Sequence, residues 1–282
     1  RIIADQWAQT DGGTVLMQLS RARMLVPQFR PDVASPPDLL NPRVRKALAH
    51  ALDRQSVAET VVPGFARVAD SLTYEDAIGR AAAQTVVRYP YDPSRALALL
   101  DEVGWRQGPD STLVKGGERF VLEYRYDVTA DAETLYPILQ QDYRKVGIET
   151  TPTRLVGPEN LQAHALFPGV LTSGLSATIP AIMSRFSGSR VAGPQNRYTG
   201  SNANGYQNPE VDRLFATIDT SVRAEERVRL WAEVWKILSD EVALIPLYYF
   251  PSPYILRKGI HGPLPANPAD TPTFMVHTWE AQ

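Results

Sequence analysis

The sequence predicts an α/β layered fold, and three observations carry that prediction. Helix starts recur along the chain, each marked by a capping side chain before a proline: Asn41-Pro42, Asp92-Pro93 and Asn208-Pro209. Strand-like runs alternate with the helices that follow these starts. The 282 residues are 44% hydrophobic and 21% charged, which is ordinary globular composition and enough chain for a sizeable core.

Each element has its own signal. After Asn41, residues Val44, Ala47, Leu48, Ala51 and Leu52 fall on one helical face, with Arg43, Lys46 and His50 on the other. "SRALALLDEVG" reads as an apolar helix closed by Gly104 in the left-handed region. "TLVKGGERFVLEYRYD" reads as a hairpin around Gly116-Gly117, with Phe120, Leu122, Tyr124 and Tyr126 on one face. It feeds the helix "AETLYPILQQDYRKVG", capped by Gly147, and then the strand "IETTPTRL". "PGVLTSG" is a further strand, before a polar loop expected from about Ser184 to Gly205. Val211, Leu214, Phe215 and Ile218 stripe the next helix, and Trp231, Trp235 and Leu238 the longer one from Ala224 to Asp240. "ALIPLYYF" and "YILRK" close the chain as strands.

Composition and motifs exclude several functions. A net charge of −2 gives no general pull toward nucleic acid, and Arg43, Arg45 and Lys46 form a short cationic turn that reads as a solvated helix face. There is no cysteine, hence no disulfide and no thiolate metal site. His50, His164, His261 and His277 are scattered, so no metal site is expected. "SGLSATIP" lacks the second glycine of a nucleophile elbow, and "TGSNANGY" lacks the Lys-Ser/Thr end of a phosphate loop. No catalytic residue and no cofactor is expected. Tyr124, Tyr126, Tyr206, Tyr248, Tyr249 and Trp105 suit either the floor of a ligand cleft or a core, and the core is the commoner fate of such residues.

Taken in order, several segments resemble one family, the extracytoplasmic solute-binding proteins of the oligopeptide, dipeptide and nickel type that serve ABC importers. They are "NPRVRKALAHALDRQSVAETVVPG", "YDPSRALALLDEVGW", "LVKGGERFVLEYRY", "LQQDYRKVGIETTPTRL", "GYQNPEVDRLFATID", "RAEERVRLWAEVWKILSDEVALIPLYYF" and "RKGIHGP". The resemblance implies a periplasmic-binding-protein-like type II lobe, a mixed sheet flanked by helices, as the C-terminal lobe of a two-lobe protein. It assigns residues 1–13 to the remnant of the first lobe, 14–245 to the second, ligand-binding lobe, and 246–282 to the second crossover and return strands. "GGTVLMQLS" is then the first crossing and "IPLYYFPSPY" the second. The resemblance implies an exported, periplasmic or extracytoplasmic protein with the bulk of its first lobe and any signal upstream, and a chain that opens without a starting Met reads as a piece of something longer.

The implied function is capture of a small solute or peptide and its delivery to ABC permease subunits, with no nucleic-acid partner. The alternative is the solute-sensing module of a bacterial transcription regulator; an enzyme on this scaffold lacks a visible reactive residue. Peptide binders of the family carry a W-x-x-D-Y-x-x-P segment whose Asp receives the peptide ammonium. Here Leu171 to Pro180 reads "LTSGLSATIP", with no carboxylate, so the ligand is not expected to be held there by an amino end. Expected cleft residues are Thr172, Ser173 and Gly174 at the strand end, with Asn204 and Tyr206 beyond the loop, and Gln18 and Tyr126.

Overall fold

The computed structural model describes residues 6–7, 12–65, 67–71, 77–157, 160–176, 178–262 and 276–281. The chain enters along β1 (Gly13–Pro27) and continues into α1 (Pro42–His50), α2 (Arg54–Val61), α3 (Ala77–Thr85) and α4 (Pro93–Asp101). Three short strands, β2 (Arg106–Gln107), β3 (Leu113–Lys115) and β4 (Glu118–Arg119), precede β5 (Val121–Asp127), α5 (Ala130–Lys145) and β6 (Glu149–Leu155). Then come α6 (Leu161–Ala165), β7 (Val170–Ser176), α7 (Ile179–Phe186), α8 (Pro209–Thr220), α9 (Ala224–Asp240), β8 (Ile245–Arg257), β9 (Ile260–His261) and β10 (Glu280–Ala281).

The predicted caps form. The Asn41 side chain accepts from Arg43 N at 3.0 Å, Asp92 from Arg95 N at 2.8 Å, and Asn208 from Glu210 N at 2.9 Å. Gly104 has φ +93° just after α4, as a left-handed cap requires. Gly147 has φ +80°, and a Cβ there would stand 2.5 Å from the Ser111 carbonyl oxygen.

A five-stranded mixed sheet of order β6-β5-β7-β1-β8 forms the centre. β5 is parallel to both β6 and β7, while β1 is antiparallel to β7 and to β8. Side chains alternate between two cores, as the period of a strand dictates. Leu25, Leu122, Tyr124 and Tyr248 pack against α1, α2, α4 and α5. Met24, Leu171 and Tyr249 pack against α7, α8 and α9, where Trp231 and Trp235 are fully enclosed. Burying side chains of this size contributes roughly 1.5–3 kcal/mol each before chain entropy is counted.

Three expectations need correction. The hairpin at Gly116-Gly117 forms only between β3 and β4, in a separate three-stranded sheet; Phe120 then turns the chain into the main sheet as β5. The loop expected from Ser184 begins later, because α7 runs to Phe186 and buries Ile182 and Phe186. Arg45 is not on a wet face: it is 3% exposed. Its guanidinium donates to the carbonyls of Glu241, Leu39 and Leu40 at 2.9, 3.0 and 2.8 Å and lies 4.3 Å from the Phe29 ring centroid. Burial pushes its pKa down to about 10 against the pull of Glu241, so it stays charged at neutral pH. Arg43 and Lys46 do sit outside, paired with Glu102 and Asp240 at 2.9 and 2.8 Å.

Candidate functional site

In open α/β sheets, ligands bind beyond the carboxyl ends of strands where the winding reverses. Here the chain steps from β5 outward to β6 and returns to β7 on the other side of β5, so the reversal lies between the ends of β5 and β7. β7 is buried from Val170 to Thr172 and becomes half-exposed from Ser173 to Ser176. The crevice therefore opens at Asp127 on one strand and at Ser173 to Ser176 on the other.

The predicted strand-end residues do not converge. Thr172 is buried and its hydroxyl donates to the Tyr124 hydroxyl within the first core. Ser173, one residue on, faces the second layer, where its Oγ accepts from Arg185 Nη2 at 2.9 Å. Gly174 pairs with Arg23 on β1, and a Cβ placed there would lie 3.6 Å from Arg23 Nη1. Tyr126 is 3% exposed and stacked on Tyr136, with centroids 5.9 Å apart.

Asn204 and Tyr206 stand apart from these. Asn204 is fully buried and donates to the carbonyls of Pro27 and Ala243 at 3.1 and 3.3 Å, while its Oδ1 has no partner. Pro27 pairs with Val170 at the start of β7, so Asn204 belongs to the sheet edge opposite Ser176. Tyr206 donates to Glu241 Oε2 at 2.6 Å and meets Phe29 edge-on at 5.1 Å. Both staple the polar loop to the body. Gln18 lies in β1 opposite Ser252, and its side chain is outside the described residues.

The crevice instead gathers Arg23 and Asp131, which no motif marks, beside Tyr248, one of the aromatics suited to either cleft or core. Arg23 forms an ion pair with Asp131 in the first turn of α5, where a carboxylate also suits the helix dipole. Tyr248 donates to Asp131 at 3.4 Å, and the Arg23 guanidinium lies 5.0 Å from the Phe250 ring centroid. Burial pushes the Tyr124 and Tyr248 phenols well above the usual tyrosine value, so both remain neutral. One signal was available: two arginines interrupt the strand run "SRARMLVP", and a charged residue in a buried strand needs a partner.

Among the described residues, no group of three or more His, Cys, Asp or Glu side chains is placed to hold a metal ion. Among them too, no helix is long and apolar enough to cross a membrane. An open groove of about 1120 Å³ between α7 and α8, lined by Pro180, Met183 and Asp212 among others, lies outside the sheet and holds none of the expected site residues.

The strand ends of β5 and β7 thus present a half-polar edge of an α/β layer, the place where open sheets of this kind take ligands. The chain belongs to the bacterial extracellular solute-binding proteins, family 5, whose middle-region model matches residues 3–196. It is 27% identical over 220 residues to the glutathione-binding protein GsiB of Salmonella choleraesuis (strain SC-B67), covering 73% of this chain and 39% of that one. In fold it is similar to NikZ from Campylobacter jejuni, solved in complex with Ni(L-His), with TM-score 0.77 and 20% identity over 99% of this chain and 56% of that one. It is likewise similar to the oligopeptide-binding protein AppA from Bacillus subtilis, solved with a nonapeptide: TM-score 0.72 and 18% identity, covering 99% and 55% of the two chains. The chain thus spans roughly 40 to 60% of the length of these proteins.

Proposed function

We propose that this chain forms the C-terminal, type II lobe of the substrate-binding component of an ABC importer. It holds a small polar or peptide-like solute against the ends of β5 and β7. A further lobe of the same polypeptide closes over the solute, and permease subunits receive it. On this reading residues 14–245 are the binding lobe, with 1–13 and 246–282 linking it to its partner lobe; much of both links, including residues 1–5, 8–11 and 263–275, lies outside the described residues.

The observation that carries the reading is a paired ribbon. β1 and β8 stay hydrogen-bonded from Gly13 opposite Arg257 to Leu25 opposite Ile245, but β7 flanks β1 only from Arg21 to Pro27. The outer halves therefore leave the sheet side by side, past Ser176, at the crevice edge. Two adjacent crossings restrain separation yet permit rotation, which is what a hinge between two closing lobes needs. Val128 and Val156, just beyond β5 and β6 at the same edge, are 42% and 77% exposed, as suits a face met by another lobe. The family's description as extracellular supports a place in the periplasm or outside the membrane.

Native mass spectrometry of the complete polypeptide from its own host tests this. A co-purified polar solute that rebinds by calorimetry and is recovered unchanged is expected. Chemical conversion of that solute, or a complete polypeptide that neither carries nor binds one, would refute the reading.

A further inference from the structure

Arg185 differs from Arg30, Arg45, Arg54 and Arg125, each of which meets two or more acceptors or a carboxylate. Arg30 donates to the carbonyls of Ala165, Ala203 and Ala192. Arg54 donates to those of Ala69, Pro246 and Tyr89 and reaches Asp70 at 3.3 Å. Arg125 pairs with Glu123 and donates to Ala163 O. Arg45 satisfies three carbonyls, as described. Arg185, half-buried on α7, makes one such bond, to Ser173 Oγ at 2.9 Å. Its Nε is buried with no acceptor, as are those of Arg23 and Arg227, but Arg185 is the one whose side chain reaches Ser173 of β7, and among the described residues no carboxylate pairs with it. Burial lowers its pKa and no neighbouring charge opposes the shift.

The buried Nε makes this guanidinium costly, because its desolvation is repaid by neither an anion nor a carbonyl. Its single partner, Ser173, is where β7 emerges from the core into the crevice. Building on the solute-receptor reading, we propose that Arg185 and Ser173 form an anion subsite that takes a carboxylate of the captured solute. The planar fork of the guanidinium matches a carboxylate in two-point contact, and the Ser173 hydroxyl fixes one arm of the fork in advance. The stretch from Leu171 to Arg185, "LTSGLSATIPAIMSR", thus offers a cationic anchor and no acidic one, which selects acidic solutes over ammonium-ended ones.

The test uses the complete polypeptide. The solute that co-purifies is identified by native mass spectrometry, and it and its carboxamide derivative are titrated into wild type, R185Q and R185K. Circular dichroism checks the fold of each variant. The solute is expected to carry a carboxylate. R185Q is expected to weaken it about 30-fold or more while changing the carboxamide less than about threefold, and R185K to recover part of the loss. S173A, which leaves the charge in place, is expected to weaken only the acid form and serves if R185Q does not fold.

Equal losses for acid and amide would make Arg185 a strut between α7 and β7 and overturn the subsite. So would undiminished affinity in R185Q and S173A, or a neutral co-purified solute; in each case the receptor reading stands. No co-purified solute, with no binding of glutathione or tripeptides, overturns both.

Discussion

Arg23 on β1 is ion-paired with Asp131 at the start of α5, and this joins the strand that enters the sheet to the helix that follows β5. The pair is mostly buried, at 14% and 22% side-chain exposure, and Tyr248 donates to the same carboxylate oxygen. Removing one partner leaves the other desolvated and unpaired. D131N is therefore expected to lose about 1–3 kcal/mol in urea unfolding. A loss below about 0.5 kcal/mol would show that the pair is in effect a surface pair.

Arg45 gives a second stability test. Three carbonyls and the Phe29 ring occupy its guanidinium, and lysine cannot reproduce that planar arrangement. R45A is expected to cost about 3 kcal/mol and R45K nearly as much, whereas R43A, at an exposed pair, should change stability by about 0.5 kcal/mol or less. Equal effects at positions 43 and 45 would contradict the buried placement.

Two glycines separate backbone preference from collision. Gly117 has φ +88° with open space where a Cβ would sit, while Gly147 has φ +80° with the Ser111 carbonyl 2.5 Å from that point. G117A is expected to cost about 1–2 kcal/mol. G147A should cost at least about 1 kcal/mol more, since backbone must move as well. Matching melting points for the two variants would count against the close approach.

Burial raises the pKa of Tyr124, Tyr143, Tyr206 and Tyr248. A phenol whose folded pKa exceeds its unfolded value adds stability that is full below the unfolded value, near 10. That contribution is lost as pH rises through the folded value. Absorbance titration at alkaline pH should therefore show these phenols ionising only as the protein unfolds. Their complete ionisation near pH 10 in a protein still folded by circular dichroism would contradict the enclosure.

Tyr206 was expected at the cleft, but its hydroxyl serves Glu241 at the far edge of the sheet. Y206F is accordingly expected to cost about 1–2 kcal/mol of stability and to leave solute affinity of the complete polypeptide unchanged. A tenfold loss of affinity without loss of stability would return Tyr206 to the site.

What the sequence made legible follows from how local each signal is. Asn41, Asp92 and Asn208 cap helices through bonds to residues two or three positions on, so position alone suffices. The stripe of Trp231, Trp235 and Leu238 reports a single buried face in the same way. α7 was missed because its apolar residues sit among small and polar ones that read as loop, although Ile179, Ile182, Met183 and Phe186 have helical spacing. Arg45 was misplaced because its partners include Glu241, 196 residues away, and no local pattern reports such a bond. The site suffered most. Thr172 and Ser173 are neighbours in sequence but face opposite layers, and Arg185 and Asp131 matter only through strands that the fold brings beside them.

On the proposed reading, a solute is held at the ends of β5 and β7 and the β1–β8 ribbon turns when it binds. Hydrogen exchange on the complete polypeptide, with and without its co-purified solute, addresses both parts at once. Slowed exchange is expected in Ser173 to Ser176 and around Asp127 to Asp131, with altered exchange in Gly13 to Leu19 and Pro251 to Arg257. Protection confined to Asn202 to Tyr206, with the ribbon unchanged, would contradict the account.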